Sequence, residues 1–162
     1  MDDLLTLLAY QNWATARILT ALAQLSPEEW GRDLHSSHGG VGGTLSHLYG
    51  AEVIWSARLK GEPAPTFAKV AFPDSLAELE VQWTALQQQR RDFVATSGPQ
   101  AVIQYANLNG EAQRSTVGEI VRHVVNHATY HRGQLVTMLR QLGYSAPNTD
   151  LIAFYRLLAA SK

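Results

Sequence analysis

Three segments of this chain begin with the same device, a serine or threonine followed three residues later by glutamate: Ser26 with Glu29, Ser75 with Glu78, and Thr116 with Glu119. The hydroxyl caps a backbone N–H of a first helical turn while the glutamate reaches back to the capping residue's own N–H. Pro27, at the first helical position after Ser26, strengthens the first of them. Glycine and proline supply the stops: Gly61-Glu62-Pro63, Ser97-Gly98-Pro99 and Gly143. Punctuation of this kind commits most of the chain to helices.

Apolar spacing fills in the rest. A first helix is predicted from about 3 to 24, with Asp2 and Asp3 at its positive end and Leu4, Leu8, Trp13, Ile18 and Leu22 on its apolar surface. A second long helix starts at Thr44 as N-cap and runs to about Lys60. It carries one stripe of Leu48, Glu52, Trp55 and Leu59, and another of His47, Ala51, Ile54 and Arg58. A third runs from Ser75 to about Thr96 with Leu79, Trp83 and Val94 inward, and with residues 87–91 as a solvated face. A fourth runs from Thr116 to about Leu142, and a last short one from Thr149 to Ala160. Residues 61–74, with three prolines, read as a loop crossing the bundle. Asn109-Gly110, between two extended runs, signals a hairpin with a type I′ turn. The expected fold is all-α: an antiparallel four-helix bundle with a short additional C-terminal helix and a small hairpin-like connection before the fourth long helix, forming one domain over residues 1–162.

Composition narrows the function. The net charge is −1, with acids and bases interspersed, which gives no support to a nucleic-acid role. The four tryptophans sit within helical patterns and read as core anchors rather than base-stacking platforms. Cysteine is absent, which removes disulfides, cysteine-ligated zinc and a cysteine nucleophile. The acidic N-terminus is unlike a signal peptide, and no apolar run reaches about 18 residues, so a soluble cytoplasmic protein with no membrane partner is expected.

Any soft nitrogen ligand must therefore come from the six histidines. His123, His127 and His131 recur every four residues in the fourth long helix. A step of four moves roughly 6 Å along one helical face, so two neighbouring histidines can grip one ion but the outer pair, roughly 12 Å apart, cannot. The apolar stripes turn His127 and His131 inward and leave His123 near the edge. The pair lacks the glutamate of the H-E-x-x-H zinc-protease motif, because Ala128 follows His127. His47 on the second helix, beside small Gly50 and Ala51 where another helix could approach, is available as a third. Three neutral imidazoles leave a coordination position for water or substrate, as in catalytic zinc sites, and suit zinc, nickel, copper and iron alike. Glu52, Glu119, Asn126 and Asp150 are candidates by composition for the supporting hydrogen bonds each ligand needs. His35 and His38 are expected to be exposed. The glycine run after them lacks the spacing and lysine of a phosphate loop and reads as a flexible connector near a site entrance.

Asn126-His127-x-x-Tyr130-His131-Arg132-Gly133-Gln134 resembles the signature of the DinB/YfiT-like family. Tyr10-x-x-Trp13-Ala14, Leu45-x-His47-Leu48 and Pro147 followed by Asp150-Leu151-Ile152 resemble its other motifs, so the likeness spans the chain. One departure is Gln11-Asn12, where the family more often has asparagine directly after the tyrosine. The resemblance implies a four-helix bundle, commonly a homodimer, that binds a divalent transition metal (zinc, nickel or iron) through His47, His127 and His131, with His123 outside the ligand set. Characterised relatives include transferases and isomerases that use thiols such as bacillithiol or mycothiol. The expected function is thus a metal-dependent transferase acting on a small-molecule substrate with a low-molecular-weight thiol. The alternatives are a hydrolase using a metal-bound hydroxide, or a non-enzymatic, stress-induced metal-binding protein.

Overall fold

The computed structural model describes residues 2–161, with the backbone alone at residue 2, so the expected helix-dipole role of the Asp2 side chain lies outside the described residues. The long helices are α1 (Asp2–Leu22), α3 (Val41–Leu59), α4 (Leu76–Ser97) and α5 (Val117–Gln141); α2 (Pro27–Gly31) and α6 (Leu151–Ala160) are short. Strands β1 (Val102–Ala106) and β2 (Ala112–Thr116) form an antiparallel hairpin before α5. Among the described residues no helix is long and apolar enough to cross a membrane.

The expected serine and threonine caps at Ser26, Ser75 and Thr116 start α2, α4 and α5. Ser26 and Thr116 make both halves of the capping box. Ser75 accepts from the Glu78 N–H, but the Glu78 carboxylate turns outward to accept from Gln82, 2.9 Å away. Helix α3 starts three residues before the expected Thr44, because Gly40 takes the cap position and the Thr44 side chain is buried beside Met138. The hairpin also differs from expectation. Its loop is Asn107–Glu111 rather than a two-residue turn, and Asn109 has a negative φ that a type I′ turn does not allow. The Asn107 carboxamide oxygen organises the loop by accepting from the N–H groups of Asn109 and Glu111.

Each long helix packs on two others: α5 on α1 and α3, and α4 on the same pair. Contacts give the directions. Thr44 meets Met138 while Trp55 meets His123, so α3 and α5 are antiparallel. Tyr49 bonds Gln82 while Ser56 bonds Arg90, so α4 repeats the direction of α3. The long proline-bearing connection of residues 60–75 makes this possible.

The core lies in two apolar clusters. One gathers Ile18, Leu22, Leu45, Leu48, Leu79, Trp83 and Leu135; the other gathers Leu4, Leu8, Leu59, Val94, Val121 and Val124. Along α1, α3 and α4 a polar layer separates them. Glu52, 1% exposed, pairs with the Nη2 of Arg90 at 2.8 Å and accepts from Trp83 Nε1 at 2.9 Å and from Gln11 Nε2. Ser56 accepts from both Arg90 Nε and Nη2. Residues 87–91 are therefore not simply a solvated face: Arg90 and Gln87 are buried, and Gln88 and Gln89 alone are fully outward. Gln11, the departure from the family motif, faces Glu52.

Removing one partner of a buried ion pair leaves an uncompensated charge, which costs about 3–5 kcal/mol. Arg90→Ala is expected to lose stability of that size in urea unfolding. Gln88→Ala, on the exposed face of the same helix, is expected to stay within about 0.5 kcal/mol of the parent. A small effect at Arg90 would show that the Glu52 charge is relieved in some other way.

Candidate metal centre

Where α3 crosses α5, three histidine rings meet. His47 Nε2 lies 3.3 Å from His127 Nε2, and His131 Nε2 lies 3.2 Å from the same atom. A ring nitrogen carries either one hydrogen or one lone pair, so His127 Nε2 cannot satisfy both neighbours by hydrogen bonding. Two nitrogens each about 2.0–2.1 Å from one ion at a tetrahedral angle lie about 3.3–3.4 Å apart. The spacing thus suits a shared cation better than a chain of hydrogen bonds. A fourth ring joins them: His38, His47 and His131 each bring a ligating nitrogen within 4.8 Å of the others. The bundle holds a histidine cluster able to coordinate a metal ion.

The donor set is prepared for that role. His131 is 5% exposed, and its Nδ1 lies 2.7 Å from Gln134 Oε1. An amide oxygen only accepts, so Nδ1 of the neutral ring carries the hydrogen and Nε2 is left with its lone pair facing His127. Gln134 stands three residues after His131, a spacing that brings helix side chains together. Burial, reinforced by the neighbouring imidazoles, lowers the pKa of His47 and of His127 to about 4. Burial also lowers that of His131, against the opposing effect of the Gln134 hydrogen bond. These rings are therefore neutral and able to donate at pH 7.

Two aromatic rings hold His47 between them. His38 stacks on it with centroids 3.9 Å apart and planes 16° apart; Phe67 stacks at 5.0 Å and 14°. His38 is therefore not an exposed loop residue, because the glycine run is a close-packed seat rather than a flexible connector. A Cβ on Gly43 would come 2.0 Å from the His38 carbonyl oxygen, and one on Gly40 would come 2.1 Å from that of Arg32. Only bare backbone lets the loop settle on the first turn of α3. The small Gly50 likewise receives Phe67, from the short 3-10 turn Phe67–Lys69, rather than another long helix. A cavity of about 250 Å³ opens here, lined by His47, Gly43, Gly50, Phe67 and Phe72.

Of the other candidates, His123 borders the cluster, its ring 5.9 Å from that of His127. His123 is at the exposed edge of α5, its ring against Trp55 at 4.5 Å. His35 is exposed, bonded through its backbone to Asp33. Glu52 is committed to the polar layer and Glu119 to the cap of α5. Asn126 and Asp150 line a groove of about 710 Å³ between α1, α5 and the C-terminal segment, into which none of the histidines faces. The supporting partner that the sequence reading missed is Gln134, whose i,i+3 position was the available signal.

The family motifs beyond the histidines tie that C-terminal segment down. Tyr10 Oη donates to the Thr149 carbonyl at 2.9 Å, and buried Arg132 donates to Tyr10 Oη at 3.2 Å. Trp13 and Tyr10 pack on Phe154 of α6.

The sequence model of the DinB family matches residues 1–158. Protein DinB of Bacillus subtilis (strain 168) is 28% identical over 157 residues, which span 92% of this chain and 91% of that protein. The crystal structure of a DinB-like protein from Bacillus cereus ATCC 10987 matches with a TM-score of 0.62 over 88% of this chain and 94% of that one. Its 14% identity makes this a likeness of fold.

The lowered pKa values carry a pH dependence. An unfolded histidine titrates near 6.5, so between about 6.5 and 4 the unfolded chain binds more protons than the folded one. The metal-free protein should lose stability as pH falls through that window, with no further loss from these two groups below it. Ring NMR of the metal-free protein is expected to place the His47 and His127 midpoints near 4. A midpoint near 6.5 for both would contradict the packing described.

Proposed function

This chain belongs to the DinB family, and on that premise we propose that His47, His127 and His131 hold a divalent transition metal in a transferase that uses an external low-molecular-weight thiol. The approach of His47 Nε2 and His131 Nε2 to the same atom, His127 Nε2, at 3.3 and 3.2 Å carries the reading. Zinc, nickel and iron all accept imidazole nitrogen, and the donor set does not choose among them. When bound, such an ion lowers the pKa of a coordinated thiol enough to make it a thiolate, the reactive nucleophile.

The chain's own residues would supply position and surroundings. Gln134 fixes the His131 tautomer and ring direction. Phe67 and His38 hold the His47 ring from both sides, and the adjoining cavity lined by Phe67 and Phe72 offers an apolar wall to a substrate. The chain has no cysteine, so a sulfur nucleophile would have to come from outside. The thiol reading is favoured over hydrolysis by the neighbours of the cluster. Activating water for ester or amide cleavage calls for a positioned acid or base. The buried carboxylate of α3, Glu52, is neutralised by Arg90 and bonded to Gln11 and Trp83.

Metal analysis of the purified protein tests the site. His47→Ala, His127→Ala and His131→Ala should each lose most of the metal, and His123→Ala should keep it. Undiminished metal in the first three would sink the assignment. A panel of small thiols offered a chromogenic electrophile tests the reaction: at least one should conjugate faster with metal-loaded than with metal-free protein. Turnover of esters or amides with no thiol acceleration would favour the hydrolase instead.

A further inference from the structure

We infer that His38 is a fourth nitrogen donor to the metal, carried on the loop of residues 32–40 and seated by Gly43. The inference rests on the metal reading of His47, His127 and His131 and extends it to a residue outside the helix motifs.

Three observations carry it. His38 brings a ligating nitrogen within 4.8 Å of those of His47 and His131, so it belongs to the cluster by distance. It is half-buried and turned inward, in contrast to its neighbour His35, which is exposed. Its position is built rather than incidental. The loop closes on itself through Leu34 N–H and Ser36 N–H to the Gly39 carbonyl, and through Gly39 N–H back to the Ser36 carbonyl. Gly43 then admits the His38 carbonyl at a distance no side chain would allow. The glycine run thus has a task that neither a phosphate loop nor a flexible hinge explains: it brings an imidazole to the cluster from a third direction.

The geometry also says how His38 would act. Its ring is stacked nearly parallel on His47, whereas His47, His127 and His131 are tilted 49–62° to one another. Rings spread at an angle can aim their lone pairs at one point; a parallel stack aims them side by side. The mutual tilt of these three rings is compatible with a shared centre. His38 must turn off its stack to complete a tetrahedral set. It is therefore the donor most easily exchanged, and the position it fills is the one an incoming ligand would take.

Cadmium-113 NMR coupling counts the donors directly. Protein labelled with nitrogen-15 in its histidine rings and loaded with cadmium-113 should show one split ring nitrogen for each of His38, His47, His127 and His131, and none for His35 or His123. His38→Gln should lose one split signal, keep the other three, and weaken cadmium binding by at least the roughly 10–100-fold that loss of a ligand's supporting partner costs. Gly43→Ala, which leaves His38 in the chain, should lose the same signal. Splitting at His47, His127 and His131 with His38 unsplit would overturn the inference while leaving the three-histidine site intact. Retention of the His38 splitting in Gly43→Ala would overturn the role given to the glycine seat. Absence of splitting at every histidine would remove the metal site, and this inference with it.

Discussion

The pairing of Glu52 with Arg90 is the interaction on which the register of this bundle depends. Both side chains are almost fully buried, at a level where apolar packing gives way to a polar layer. Apolar ridges tolerate sliding, because one leucine can replace another in a groove. A buried carboxylate does not, since a slip of one turn would leave it without a cation at a cost of several kcal/mol. Gln11 from α1 and Trp83 from α4 bond the same carboxylate, so three of the four long helices are pinned at a single height. The buried layer thereby gives the helices one discrete alignment.

The histidine cluster inherits that alignment. His47 stands five residues before Glu52 on α3, about 7.5 Å along the helix, so fixing Glu52 against α1 and α4 also fixes the height of His47. On α5, the capping box at Thr116 and Glu119 sets where the helix begins, and the bond from Arg132 to Tyr10 ties the turn after His131 to α1. Nitrogens that must meet within a few tenths of an ångström are thus held by contacts at some distance from them. Shape and polarity then complete the arrangement locally, through the Phe67 stack on His47 and the Gln134 bond to His131.

Periodic features were legible in the sequence, and features made by folding back were not. Caps, stops and the inward face of α5 could be read from residue type and spacing, and those elements are present with shifts of a few residues. The inward direction of His127 and His131 followed from their place among Val124, Ala128 and Leu135. Arg90 was misread because glutamines and arginines in a row look like a solvated face, and its partner Glu52 is 38 residues away. His38 was misread for a similar reason. Nothing local distinguishes it from His35, and only the close approach allowed by Gly43 turns one inward and leaves the other out. The Asn109-Gly110 pair misled in a different way, because the carboxamide of Asn107 offered the backbone a competing turn.

The separation of charge between the two buried polar sites bears on the proposed chemistry. The carboxylate of the core is balanced by Arg90, and the histidine cluster is made of neutral imidazoles. A divalent cation held by neutral nitrogens alone keeps its full formal charge, whereas each carboxylate ligand would cancel part of it. Such a centre would favour an anion in its exchangeable position. The proposed thiolate would be anionic when bound, and its hydrocarbon body would suit the wall formed by Phe67 and Phe72. On the same argument the His38 imidazole, as the proposed fourth donor, would hold that position without satisfying the charge and would yield it to an anionic ligand.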